Sequence, residues 1–168
     1  MMKDKSNVGN LKINRLNIIK YVVTAAIVIY IAVILAYKGE SKVPFEKVAA
    51  NVEKAADTSL MKKGNSQTFK KLYGLNAKDY DGIMLYSAKS AMGAEELLVL
   101  RLKDASQTEV TEKAVEKRLE DRKKVFEGYG VNQTKLLQNA VYMTRGNYIF
   151  LAVSSDAQKF QKAFTGSL

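Results

Sequence analysis

Three sets of residues carry chemistry at a spacing worth weighing. The first is Asn76, Asp79 and Asp81 before Gly82, oxygen donors crowded as in a cation-binding loop. A calcium loop of the helix–loop–helix type needs oxygen ligands at alternating positions and a Glu about six residues after its glycine. Ser87 and Ala88 stand near that place, so Asp79 is expected to cap a turn and Asp81-Gly82 to form one. The second set is Lys62, Lys63, Lys70 and Lys71, with Phe69 and Tyr73 among them. Basic and aromatic residues interleaved in this way can meet the phosphates of an anionic lipid, a wall polymer or a nucleic acid. The competing expectation is that Phe69, Leu72 and Tyr73 are core and the lysines face water. The third is Arg101, alone among apolar neighbours in LLVLRL. It needs a carboxylate partner, or it marks a polar pocket with Asp79 and Asp81. Glu95 and Glu96 are adjacent on a strand and point to opposite faces, so they cannot act as a carboxylate pair on one substrate.

Composition excludes more than it suggests. The chain has no His and no Cys, which removes imidazole bases, thiolate nucleophiles, disulfides and Cys/His zinc sites. Gly128-Tyr129-Gly130 follows a helical pattern and lacks a third glycine, so it reads as a helix stop and not a phosphate cradle. No catalytic residue, metal ligand or cofactor site is expected. The formal net charge is +10. Beyond residue 43 the basic residues are interleaved with Glu and Asp, the pattern of a solvated mixed surface, which disfavours nucleic acid as a partner.

The elements that must position these residues begin with residues 21–37, YVVTAAIVIYIAVILAY, which hold no charge, Gly or Pro. As a helix this run would be about 26 Å long, near the short end of a bilayer's hydrocarbon thickness. Tyr21 and Tyr37 stand at its ends, and Lys3, Lys5, Lys12, Arg15 and Lys20 precede it. The pattern predicts a single transmembrane helix over 18–37, with the N-terminus cytoplasmic. The expected order is a cytoplasmic tail over 1–17, the anchor over 18–37, a linker over 38–43 and one extracytoplasmic domain over 44–168.

Within that domain, Phe45, Val48, Ala49, Val52 and Ala56 share a helix face behind Pro44. SLMKKG reads as a short turn, and Asn65 or Ser66 as the cap of a second helix that ends at a left-handed Gly74. Strands are expected over 83–88, 97–102, 141–144 and 148–153. LLVLRL and YIFLAV are apolar on both faces, the mark of central strands. Ser106 and Glu109 have capping-box spacing at the head of the longest helix, to about Phe126. Gly146-Asn147 suits a type II′ hairpin turn, and a last helix buries Phe160, Ala163 and Phe164. The fold expected is α+β: helices, hairpin, helix, hairpin, helix, around a mainly antiparallel sheet of about four strands, with the N-terminal helix pair on one face.

The segments DTSLMKKG (57–64), FKKLYGLNAKDYDGIMLY (69–86), AEELLVLRLKD (94–104), EKRLEDRKKVFEGY (116–129) and GNYIFLAVS (146–154) resemble an uncharacterised extracytoplasmic domain family of Gram-positive bacteria. The resemblance implies a compartment and domain limits, and transfers no activity, cofactor or site residue. The function expected is a membrane-tethered extracytoplasmic binding or structural accessory module of the cell envelope, without catalysis. Its partners would be the lipid bilayer and an envelope protein or anionic envelope polymer, met through Lys62, Lys63, Lys70, Lys71 and Tyr73. The alternatives are a carboxylate-based envelope enzyme using Asp79, Asp81 and Arg101, and an inward-facing domain that binds nucleic acid.

Overall fold

The structure, a computed structural model, describes residues 15–128 and 130–168, with the backbone alone described for 15–17 and 33–38. The chain divides into two compact units, the second being Gly39–Leu168. The tail expected over 1–17 lies outside the described residues as far as position 14; positions 15–17 are already helical.

Helix α1 runs Arg15–Lys38. Its described apolar side chains are exposed, Tyr21 at 75% and Tyr30 at 66%. Among the described residues no helix is long and apolar enough to cross a membrane. This corrects the transmembrane anchor expected over 18–37. The charge-free stretch starts only after Lys20 and ends before Lys38, 17 residues in all. That is about 26 Å of helix, short of the roughly 30 Å that a hydrocarbon core requires.

The second unit is organised by its two most apolar strands. β3 (Glu96–Leu102) and β5 (Tyr148–Val153) are almost wholly buried and lie next to each other. β2 (Tyr80–Ala88) pairs with the outer side of β3, and β4 (Val141–Arg145) with the outer side of β5. A fifth strand, β1 (Met61–Lys63), adds to β2, giving an antiparallel sheet of order β1-β2-β3-β5-β4. Within SLMKKG, Ser59 and Leu60 form the expected turn but Met61–Lys63 is a strand, which corrects the expected count of four. The strand is three residues long, and only Met61 in it is buried, so it leaves almost no alternation in the sequence to read.

Successive side chains leave a strand on opposite faces, so a strand in mid-sheet feeds two cores. On one face Met84, Tyr86, Leu97, Val99, Phe150 and Ala152 meet Val48 and Val52 of α2 (Phe45–Ala55) and Phe160 and Phe164 of α6 (Ala157–Thr165). On the other, Leu85, Leu98, Leu100, Ile149 and Leu151 meet α3 (Ser66–Tyr73), α4 (Thr108–Phe126) and α5 (Val131–Gln138). The result is three layers, helix–sheet–helix. The two N-terminal helices of this unit, expected together, are split between the layers, because β1 carries the chain across the sheet edge between them.

Two close approaches fix loops to this frame. A Cβ on Gly82 would sit 2.1 Å from Cγ of Phe45, so the ring at the head of α2 packs directly on the glycine backbone of β2. Gly146 has φ +57°, and no described non-glycine residue has positive φ, so the β4–β5 turn excludes type I′ and agrees with the expected type II′. That turn also holds the chain that leads into α2. Asn147 Oδ1 accepts from Ser41 N at 3.0 Å, and the Tyr148 hydroxyl donates to Val43 O at 2.8 Å.

Candidate functional site

A cleft of about 580 Å³ opens on the α3–α4 side near the β2–β3 loop. Its size lies within the 300–1,000 Å³ typical of ligand sites. β1 supplies Lys62, α3 supplies Thr68 and Lys71, the end of β2 supplies Ser87, β3 supplies Glu96, and α4 supplies Arg118 and Arg122.

Local sequence explains each placement. Asn65 caps α3, its Oδ1 accepting from Thr68 N at 2.9 Å, and Gly74 closes the helix with φ +72°. This single short helix turns Phe69 and Tyr73 into the core and leaves Lys70 and Lys71 exposed. On α4, Thr111, Val115, Arg118, Arg122 and Phe126 recur at steps of three and four, so both arginines lie on the stripe that faces the sheet. A capping box opens the turn before this helix, but at Asp104 and Gln107 and not at Ser106 and Glu109. The same spacing occurs two residues earlier, with Asp as the cap.

The floor of the cleft is an ion pair. Glu96 is only 3% exposed. Arg118 donates from Nη2 to Glu96 Oε2 at 2.6 Å and from Nε to both carboxylate oxygens at 3.2 Å. The Tyr73 hydroxyl donates to Glu96 Oε1 from below. Burial, then the adjacent Glu96 charge, hold the Tyr73 phenol well above its ordinary pKa. Burial works against the Arg118 charge, but the Glu96 hydrogen bonds and charge outweigh it, and the guanidinium stays protonated. Arg122 donates to Gly93 O and lies over the Phe126 ring, 4.7 Å from its centroid. Above this floor, Lys62 and Lys71 have no ion-pair partner among the described residues. The cleft therefore presents four cations against Glu95 and Glu96, a net of two positive charges.

The residues singled out by sequence do not all meet here. Lys62 and Lys71 line the cleft, with Tyr73 buried beneath it. Lys63 lies across the sheet, where it pairs with Glu53 at 3.2 Å and Tyr86 donates to the same carboxylate. Those two partners, Tyr86 first, lower the pKa of Glu53. Lys70 is exposed and does not line the cleft. Arg101 sits 3.9 Å from Asp81 and 5.7 Å from the Tyr148 ring. Asp79 lies in the turn before β2, where its backbone oxygen accepts from Gln107 Nε2 at 2.7 Å. None of the three lines the cleft. Sequence reasoning missed Glu96, Arg118 and Arg122; the usable signal was two arginines on the inner stripe of an amphipathic helix.

Chemically, the arrangement is a set of hydrogen-bond donors and positive charges. Among the described residues no group of three or more acidic side chains is placed to hold a metal ion. No curated protein matches the chain, and no solved structure does. One family model does match, over residues 54–154, which take in all five strands, α3, α4, α5 and every residue of the cleft. The chain thus belongs to the family described as a domain of unknown function, DUF4358.

Proposed function

We propose that the domain is a binding module whose cleft takes an anionic ligand without transforming it, and that the ligand in the cell is an anionic polymer of the cell envelope. The observation that carries this reading is the charge imbalance of the cleft. Lys62 and Lys71 stand unpaired beside a guanidinium anchored by a buried carboxylate. Protein surfaces usually intersperse the two signs, and an uncompensated cluster in a concavity concentrates anions. The hydroxyls of Ser87 and Ser90 add neutral donors in the same lining.

The test is a calorimetric titration of the full chain with inorganic polyphosphate at low salt. The Lys62→Ala, Lys71→Ala double variant removes two exposed charges worth about 1 kcal/mol each, so affinity should fall about thirtyfold. Binding that is unchanged in the double variant, or absent from the unmodified chain, sinks the proposal.

A further inference from the structure

We infer, resting on the binding role proposed above, that Arg118 is the group that recognises an oxyanion in the cleft, that Glu96 positions it, and that the anionic group recognised is phosphate and not carboxylate.

A guanidinium has five N–H donors in one plane. Glu96 takes the Nε–H and one Nη2–H of Arg118. The remaining donors, on Nη1 and the far side of Nη2, have no protein partner among the described residues, and Arg118 lines the cleft. The two-point contact with Glu96 fixes both the direction and the plane of that free edge, which a single contact could not do. Glu96 is itself held by Tyr73, so the assembly is rigid from the core outward. Arginine held in this way serves bidentate recognition of an oxyanion, whereas lysine acts as a point charge.

Charge and shape then separate the two oxyanions. The cleft carries a net of two positive charges, which a phosphate monoester dianion, or two linked phosphodiesters, would balance and one carboxylate would not. A tetrahedral group also offers oxygens out of the guanidinium plane, toward ammonium groups such as Lys62 and Lys71. A planar carboxylate spends both oxygens on the fork.

The experiment compares inorganic phosphate with acetate at constant ionic strength, by amide chemical shifts in the full chain. The unmodified protein should prefer phosphate by about tenfold or more. Arg118→Lys keeps the charge and loses the fork, so the preference should vanish. Glu96→Gln gives the sharper result, because charge and positioning predict opposite signs. It makes the cleft more positive, so a site that works by charge alone binds phosphate more tightly. If Glu96 aims Arg118, phosphate binds at least about threefold more weakly. Near-UV circular dichroism establishes that each variant is folded, and Arg118→Lys decides the matter if Glu96→Gln is not. Tighter binding by Glu96→Gln, or a preference that survives Arg118→Lys, overturns this inference. If phosphate binding then still depends on Lys62 and Lys71, the broader binding role stands. If the unmodified chain binds neither phosphate nor polyphosphate, both fall.

Discussion

The ion pair under the cleft should show strong energetic coupling in a double-mutant cycle. Arg118→Met would leave Glu96, 3% exposed, with only the Tyr73 hydroxyl as partner. Removing one member of a buried pair costs about 3–5 kcal/mol. Glu96→Leu would leave Arg118 and the Tyr73 hydroxyl unpartnered instead. Arg118 keeps 17% side-chain exposure and can turn to cleft water, so about 2–3 kcal/mol is expected. The single costs therefore total about 5–8 kcal/mol. The double variant removes both charges and leaves only the tyrosine hydroxyl orphaned, a cost of about 1–2 kcal/mol. Adding Tyr73→Phe should recover about 1 kcal/mol of that. The coupling is thus about 3–7 kcal/mol. Urea unfolding followed by tyrosine near-UV circular dichroism measures it, since the chain has no tryptophan. A coupling below about 1 kcal/mol would refute the argument and leave Glu96–Arg118 as an incidental contact.

Two further outcomes follow from the packing. Gly82→Ala places a methyl group inside the Phe45 ring position and should cost about 1–3 kcal/mol by overpacking; in a Phe45→Ala background it should be nearly neutral, which the same urea assay checks. At high pH the buried phenols of Tyr73 and Tyr142 oppose ionisation, that of Tyr142 being pushed up to about 12 by burial and by Glu112. Their folded pKa values lie above the unfolded value, so this stability is complete below about pH 10 and is lost as pH rises through the folded values, about 12 for Tyr142. Urea midpoints should fall across that window, less steeply in Tyr73→Phe, with tyrosinate absorbance reporting the ionisation.

The sequence revealed the centre of the fold better than its margins. LLVLRL and YIFLAV could only be strands covered on both faces, and they occupy the middle of the sheet. Asn65, Gly74 and Gly146 announced a cap, a stop and a turn, because each solves a local backbone problem that no other element has to share. β1 stayed hidden because an edge strand needs only one inward residue, and Met61 supplies it between a turn and two lysines. The sides taken by α2 and α3 depend on where the chain crosses the sheet, which no local pattern encodes. The site was half legible. Lys62 and Lys71 stood out by charge, but which lysines face the cleft depends on strand parity and helix phase. Glu96 and Arg118 are 22 residues apart and meet only across the sheet–helix interface. The apolar run near the start has no charge over 17 positions, with tyrosines at its ends and basic residues before it, yet among the described residues no helix is long and apolar enough to cross a membrane.

The central seam of the sheet, between its two hairpins, is closed by no short loop. β2 with β3, and β4 with β5, are neighbours along the chain, but β3 joins β5 across 47 residues at Arg101–Tyr148 and 57 at Glu96–Val153. Each half can zip locally and quickly; uniting the halves must overcome the loop entropy of that long excursion. Docking of the two hairpins should therefore set the refolding rate. Truncating Val99 or Phe150, which face each other across the seam, should slow the refolding arm of a chevron plot. Truncating the solvent-side margin of β4 should act on the unfolding arm alone.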